Sequence, residues 1–463
     1  MDASLTSELA AWGASVRWSS LPATVREATV CRLVDSIGLM LAGSATPAGR
    51  AVLDYATSSG GTPEATLLGS GERLPAASVA LVHGTWAHVH DYDDTEPESV
   101  IHPTSPVVAA VLAVGEASGS SPEEILAAAA VGIEVMCRLG APAGRRFHHR
   151  GFHATGLAGP IAVALAASTI TGSSPDATVS AMGLAGSMSG GLLAFLSDGS
   201  WAKRLHPGWA AHGGVIAAGL AARGFTGPAA VLEDRYGTYA AFLHGEVVDH
   251  AAVVDSLGTT WRSLPPHFKR FPCAHVIQPF LDAVLEGGIR AGDAAEIVLR
   301  LPAWQVPIVC EPWDTKVRPA TEYQARTSLP FAVASAVVDG DVGIDTFDDA
   351  NLRRPEVAAV LERTRYEAAD HLDGFDAVVE VRRHDGSTAV LRPPPTEPPI
   401  TEIVRAKAGR TAGRVLDDLA VAELRSAVTG AGDIAAFDPV RLVRLCRVER
   451  EEDNHAGGVH AQR

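Results

Sequence analysis

Three Ser-Pro pairs, Ser105-Pro106, Ser121-Pro122 and Ser174-Pro175, punctuate a stretch otherwise written largely in Ala, Gly, Val and Leu. The pair has a physical meaning at a helix start. The Ser hydroxyl accepts from a first-turn N–H that lacks a helical partner, and Pro suits the next position because its φ is already helical. At the second pair Glu124 can reach back to the Ser121 backbone N–H, which completes a capping box. Between these starts lie EEILAAAAVGIEVMCRLG and GPIAVALAAS, whose small side chains let helix backbones approach closely. The chain is thereby constrained to a tightly packed helical core. Residues 154–175 carry no charge, but Pro160 and the Gly, Ser, Thr and Ala around it suit a buried small-residue helix better than a membrane span.

The rest of the chain divides around that core. In VREATVCRLVDSIGLMLAGS apolar residues recur at three- and four-residue spacing, so residues 1 to 60 read as helices, with ATLLGS as a short strand afterwards. Gly224 ends the helix GWAAHGGVIAAGLAARG. Near Leu264 the texture changes. AEIVLRLP brings β-branched residues, and AVVEVRRHDGSTAVLR reads as a hairpin with Asp385-Gly386 in its turn. LPFAVASAVVDG and PEVAAVLERTR read as helices, and RPPPTEPPITE as a connector to a final helical segment. The fold class is therefore mainly α: a large all-helical domain (1–265), a smaller inserted α+β domain (266–398), a helical return (399–448) and a mobile tail (449–463).

Composition excludes several function classes. With 463 residues and a formal net charge of −16 spread along the chain, non-specific nucleic-acid binding is disfavoured, because it depends on basic groups neutralising phosphate. A few focused cations can still dominate a pocket for a small anion. The five cysteines are scattered without a CxxC pair and make no recognisable metal or disulfide framework. The first residues lack a basic region followed by an apolar core, so the expectation is a cytoplasmic protein with no membrane partner.

Chemistry concentrates in HGTWAHVHDYDDTEPESVIHP, where four histidines (His83, His88, His90, His102) and three aspartates (Asp91, Asp93, Asp94) are crowded between apolar helices. His88 and Asp91 share a helical face if the helix extends that far. A carboxylate beside imidazoles can fix a tautomer or raise a pKa for acid–base work. His90-Asp91 also resembles the ligand pair of metal-dependent HD-type phosphohydrolases. The plain alternative is a solvated loop with capping aspartates. Further along stand GFHATG with His153, SWAKRLHPGWAAHGG with Lys203, HFKRFPCAH with Lys269, Arg270 and His275, and KVRPAT with Lys316. Such elements recurring in an acidic chain point to a cleft for a small anionic polycarboxylate.

Taken in order, HVHDYDDT, HPTSPV, GFHATG, the Lys of WAKRLHPG, RYG and KRFPCAH resemble the MmgE/PrpD family, which includes 2-methylcitrate dehydratases, cis-aconitate decarboxylases and an iminodisuccinate epimerase. The resemblance implies a helical domain with an α+β lid, a homodimer, and a cofactor-independent lyase with no metal. By motif it implies catalytic roles for Asp91, His102, His153 and Lys203. Substrate-binding roles fall to Thr95, Arg270, His275 and Lys316, with Arg326 in a looser match. In that scheme Lys203 and Arg270 anchor carboxylates, His102 and His153 move protons, Asp91 orients one of them, and Thr95 positions the substrate. His83, His88 and His90 are structural. GFHATG stands where the family often has GFHPTG, His83-Gly84 where it often has Asn-Gly, and HDYDDT points away from 2-methylcitrate itself. The same residues serve dehydration, the leading expectation, or decarboxylation or epimerisation. A non-catalytic carboxylate-binding protein is the remaining alternative.

Overall fold

The computed structural model describes residues 4–429 and 438–445. It is mainly α, with a large helical part and a smaller α+β part. The tail expected at 449–463 lies outside the described residues.

The helical part is built as its small residues require. The helices Ala76–His88, Thr104–Ser118, Pro122–Gly140, Ala154–Ile170 and Ala202–Ala221 pack against one another through Ala, Gly and Val, nearly all buried. Where Ala76–His88 crosses Ala202–Ala221, a Cβ added to Gly84 would lie 2.8 Å from the Cα of Gly208. Two glycines facing each other thus set a backbone-to-backbone contact that no side chain fits. The capping box at Ser121 and the Ser174 cap are both formed. The Ser105 cap is not: that helix begins at Thr104, and the Ser105 hydroxyl instead donates to Asp93. Ala154–Ile170 is buried along its length, and no single helix among the described residues is long and apolar enough to cross a membrane.

The first core draws on residues from Leu9 to Phe268 and then on Ile403, Val404, Leu424, Val428 and Leu442 of the returning helices. Between these, Phe271 to Val381 contribute a second core. There the strand Ala294–Leu301 is central, parallel to Thr364–Ala368 on one side and antiparallel to Val378–Arg383 on the other, with Thr388–Leu391 at the far edge. The hairpin forms as expected. Thr364–Ala368 corrects the reading of PEVAAVLERTR as helical throughout, because the helix stops at Leu361. ATLLGS yields only Ala65–Thr66, paired with Arg73–Leu74. The returning helix Ile400–Thr411 is pinned by Lys407, whose buried ammonium donates to Asp35 and to the carbonyl of Tyr92, each at 2.8 Å.

Candidate active site

The site starts where a helix stops. Ala76–His88 ends at His88, so the expected shared helical face of His88 and Asp91 does not form. Asp91 instead adopts a left-handed conformation (φ 51°), with its N–H donating to the His88 carbonyl at 2.9 Å. Asp and Asn tolerate this region better than most residues. The turn aims the carboxylate at two cations. Lys203 Nζ, from the helix packed across Gly84, donates to Oδ2 at 2.7 Å. Lys269 Nζ donates to Oδ1 at 2.5 Å and to the Asp91 carbonyl at 2.7 Å. All three side chains are buried or nearly so. Burial alone would raise the Asp91 pKa, but the two ammonium groups hold it well below the usual carboxylate range. Asp91 is thus a charged anchor for two lysines, rather than the group that orients a histidine.

Asp93 takes the orienting role instead. Its carboxylate accepts from His88 Nδ1 at 2.8 Å and lies 3.7 Å from His102 Nδ1. Burial opposes its charge, yet His88 and His102 keep its pKa below the ordinary value. Asp94 accepts from Arg32 and Thr104 at 2.9 and 2.7 Å, which fixes the loop from behind. His102 Nδ1 lies 3.0 Å from the Asp94 carbonyl and 3.3 Å from Thr95 Oγ1. A carbonyl can only accept, so Nδ1 carries the proton and Nε2 keeps its lone pair. His153 stands just before the first residue of Ala154–Ile170 without a side-chain capping bond, and its Nδ1 meets His206 Nδ1 at 3.0 Å. His153 Nε2 and His88 Nε2 are buried without partners among the described residues. The rings of His88, His102 and His153 cluster with centroids 4.7 to 5.8 Å apart. Burial, reinforced by the nearby lysines, pushes the pKa values of His102 and His153 well below the ordinary imidazole value.

These groups open onto a cavity of about 460 Å³ between the two cores. Asp91, His102, His153, Lys203 and His275 all line it, as does Lys269. Five buried polar atoms on its wall have no partner among the described residues: the Tyr323 hydroxyl, His148 Nδ1, His153 Nε2, His275 Nδ1 and Trp304 Nε1. Burial, with Lys269 adding to it, pushes His275 down to about 3, and burial pushes His148 down to about 4. Burial, and then Asp91, raises Tyr323 well above its usual value, so its hydroxyl stays a donor. At the rim the Arg145 guanidinium lies over the Trp304 ring, 4.1 Å from its centroid, and so bridges the two parts of the chain.

Three expected substrate-binding residues do not line this cavity. Arg270 turns outward, ion-pairs with Asp282 and borders a separate pocket beside Tyr92 and Lys407. Its neighbour Lys269 takes the inward position. Lys316 lies behind the wall, with its ammonium spent on the carbonyls of Ile308 and Thr327 at 2.7 and 2.8 Å; burial lowers its pKa to about 8. Thr95 stands one step back and touches His102. Arg326 is also structural here, donating to the carbonyls of Pro272 and His90. His90 faces Ala42 and Arg326, so the His90-Asp91 metal pair is not assembled. Ligand atoms of His88, His102 and His153 do fall within 4.8 Å of one another, as do those of a second group containing Asp91 and Asp93. Both Asp91 oxygens, however, are already engaged by ammonium groups. Sequence reasoning missed Lys269 by one position within a motif it had singled out. Tyr323, Arg145 and His148 carried no sequence signal.

The chain matches two family models in series, the MmgE/PrpD N-terminal domain over residues 7–251 and the MmgE/PrpD C-terminal domain over residues 271–425. The chain belongs to the MmgE/PrpD family. Among its relatives, the cis-aconitate decarboxylase-like protein oryM of Aspergillus oryzae is 27% identical, with 92% of this chain and 94% of the relative aligned. Cis-aconitate decarboxylase of Aspergillus terreus is 25% identical over 96% of each chain. The cis-aconitate decarboxylase of Mus musculus is 27% identical over 78% of this chain and 76% of its own. This MmgE/PrpD chain therefore has enzymes, and specifically decarboxylases, among its relatives along nearly its whole length.

Proposed function

We propose that this protein is a lyase acting on a small carboxylate, without metal or organic cofactor, at the carbon next to the carboxylate group. The observation that carries the reading is Asp91 held between Lys203 and Lys269 beside the neutral imidazoles of His102 and His153. Two buried ammonium groups against one carboxylate leave positive charge at the floor of the cavity. A carbanion or enediolate forming there is stabilised by fixed charges that need no rearrangement in a site sheltered from water.

Decarboxylation is the favoured reaction, because the curated relatives carry that name. In it the C–C bond to a carboxylate breaks, CO2 leaves, and the electron pair stays on carbon until it takes a proton from His102 Nε2, which gains that proton from solvent when the negative charge of the substrate binds. Dehydration is the second reading. His153 Nε2 and the Tyr323 hydroxyl, both without a partner among the described residues and both on residues lining one cavity, suit it. One removes the proton from carbon while the other protonates the departing hydroxyl, which leaves as water. In either reaction Thr95 and the Asp94 carbonyl hold His102 in the tautomer that presents Nε2.

The active form in this proposal is a homodimer. Trp201, Leu205, Trp209, Ile216 and Leu220 recur every four or seven residues along one face of Ala202–Ala221 and expose 38 to 53% of their surface. A stripe of this kind is a contact surface in search of a partner, and a second copy supplies an equivalent one. The reaction is tested by NMR in D2O with di- and tricarboxylates. Loss of CO2, loss of water and simple deuterium exchange give different products, and the activity is expected to survive EDTA. No turnover of any carboxylate would reject the reading.

A further inference from the structure

We infer that the natural substrate carries an apolar substituent beside no more than two carboxylates, and that the wall formed by Leu193, Phe195, Leu196, Trp304, Pro307 and Ile308 is the subsite for that substituent. This rests on the carboxylate-lyase reading above and narrows its substrate class. The reacting groups and these six side chains, three from each part of the chain, line the same space. Ring contacts join the two sets directly. The Phe195 ring stands edge-on to Tyr323 at 5.7 Å and to His206 at 6.2 Å. Leu196 lines the cavity with 42% of its surface still exposed, so the wall contains apolar area left uncovered by the described residues. A volume of about 460 Å³ exceeds the need of a compact acid and falls in the range of roughly 300–1,000 Å³ that accepts larger ligands.

Charge sets the other limit. The lining holds one carboxylate, Asp91, against three cations, Lys203, Lys269 and Arg145, a surplus of two. His148 and His275 are kept neutral by burial and add none. Asp93, just behind, is taken up by His88 and Ser105. A third substrate carboxylate would therefore find no further cation on this lining, only uncharged groups such as the Trp304 Nε1–H and the Tyr323 hydroxyl, and removing it from water without an opposite charge is costly.

The test measures binding to the full chain of 2-methyl-, 2-propyl- and 2-butylsuccinate and of propane-1,2,3-tricarboxylate, with deuterium exchange in D2O read on the same samples. Affinity is expected to rise about fourfold per methylene, roughly sixtyfold from methyl to butyl, with the tricarboxylate weaker than the butyl compound. Ile308→Ser is expected to flatten this dependence, and so is Leu196→Ser, whose half-exposed position tolerates the change. A flat or falling series, tightest binding of the tricarboxylate, or no binding at all would overturn the inference. A rising series with no exchange on any member, and no loss of CO2 or water from any carboxylate in the screen above, keeps the substrate class and rejects the lyase reading. Exchange with a flat series does the reverse.

Discussion

At the scale of single residues, the site is organised by where charge is left over. Asp91 and Val100 both adopt left-handed backbone conformations, φ 51° and 57°, and both line the cavity. For a β-branched residue such as Val100 this is a costly conformation, and strain of this kind gathers at functional sites. The distinction between Lys269 and Arg270 makes a sharp prediction. Lys269→Met strips one of two partners from buried Asp91 and is expected to cost about 3–5 kcal/mol of stability and at least about 10²-fold in kcat. Arg270→Met breaks only a partly exposed pair with Asp282 and is expected to stay within about 1 kcal/mol with near-normal kcat. Thermal unfolding and steady-state rates on both variants decide this. A second prediction follows from the imidazoles. With no ligand, burial holds His148 and His206 near about 4 and His275 near about 3. A bound carboxylate brings negative charge that raises these values and those of His102 and His153, so binding at pH 6 is expected to take up protons. Calorimetry in buffers of different ionisation enthalpy measures the uptake, and zero uptake would contradict the neutral-imidazole description.

At the scale of elements, much was written in local grammar. The Ser121 capping box, the Ser174 cap and the Asp385-Gly386 hairpin each need only a few neighbouring residues, and each formed. What failed depended on partners far away. Ser105 resembles a cap because Pro follows it, but Asp93 claims its hydroxyl and the helix starts two residues earlier than that cap would set, at Thr104. Thr364–Ala368 becomes a strand through parallel pairing with residues nearly seventy positions upstream, which no local pattern announces. The side-chain aim of the KRFP segment was equally hidden, since motif position does not say which of two adjacent cations points inward. The crossing at Gly84 and Gly208 ties packing to chemistry, because the second helix carries Lys203. Gly84→Leu is expected to force the helices apart, with a cost of about 1–3 kcal/mol or more. It should also lower kcat by moving Lys203 from Asp91. Unfolding and rate measurements on purified variant check both, and an unchanged rate would show that the crossing does not set the site's geometry.

At the scale of the whole molecule, the cavity belongs to neither part alone. Asp91, His102, His153 and Lys203 come from the helical part, while His275, Trp304 and Tyr323 come from the segment that builds the second core. Arg145 over Trp304 joins the two at the rim. The exposed apolar face of Ala202–Ala221 adds an assembly prediction: Trp209→Asp is expected to convert a dimer to monomer in sedimentation equilibrium, and a variant that remains dimeric would place the interface elsewhere. The claim on which the functional account rests is that a protonated-Nδ1 His102, backed by Asp94 and Thr95, transfers the proton in a cleft charged by Lys203 and Lys269. The most direct measurement is the turnover of a carboxylate substrate, followed by NMR after EDTA treatment, by the native chain and by His102→Gln, with unfolding temperatures recorded on the same samples. Turnover by the native chain and a fall in kcat of about 10²–10⁴ in the variant, with the fold retained, are expected; His102→Gln turning over at the native rate would contradict this role of His102.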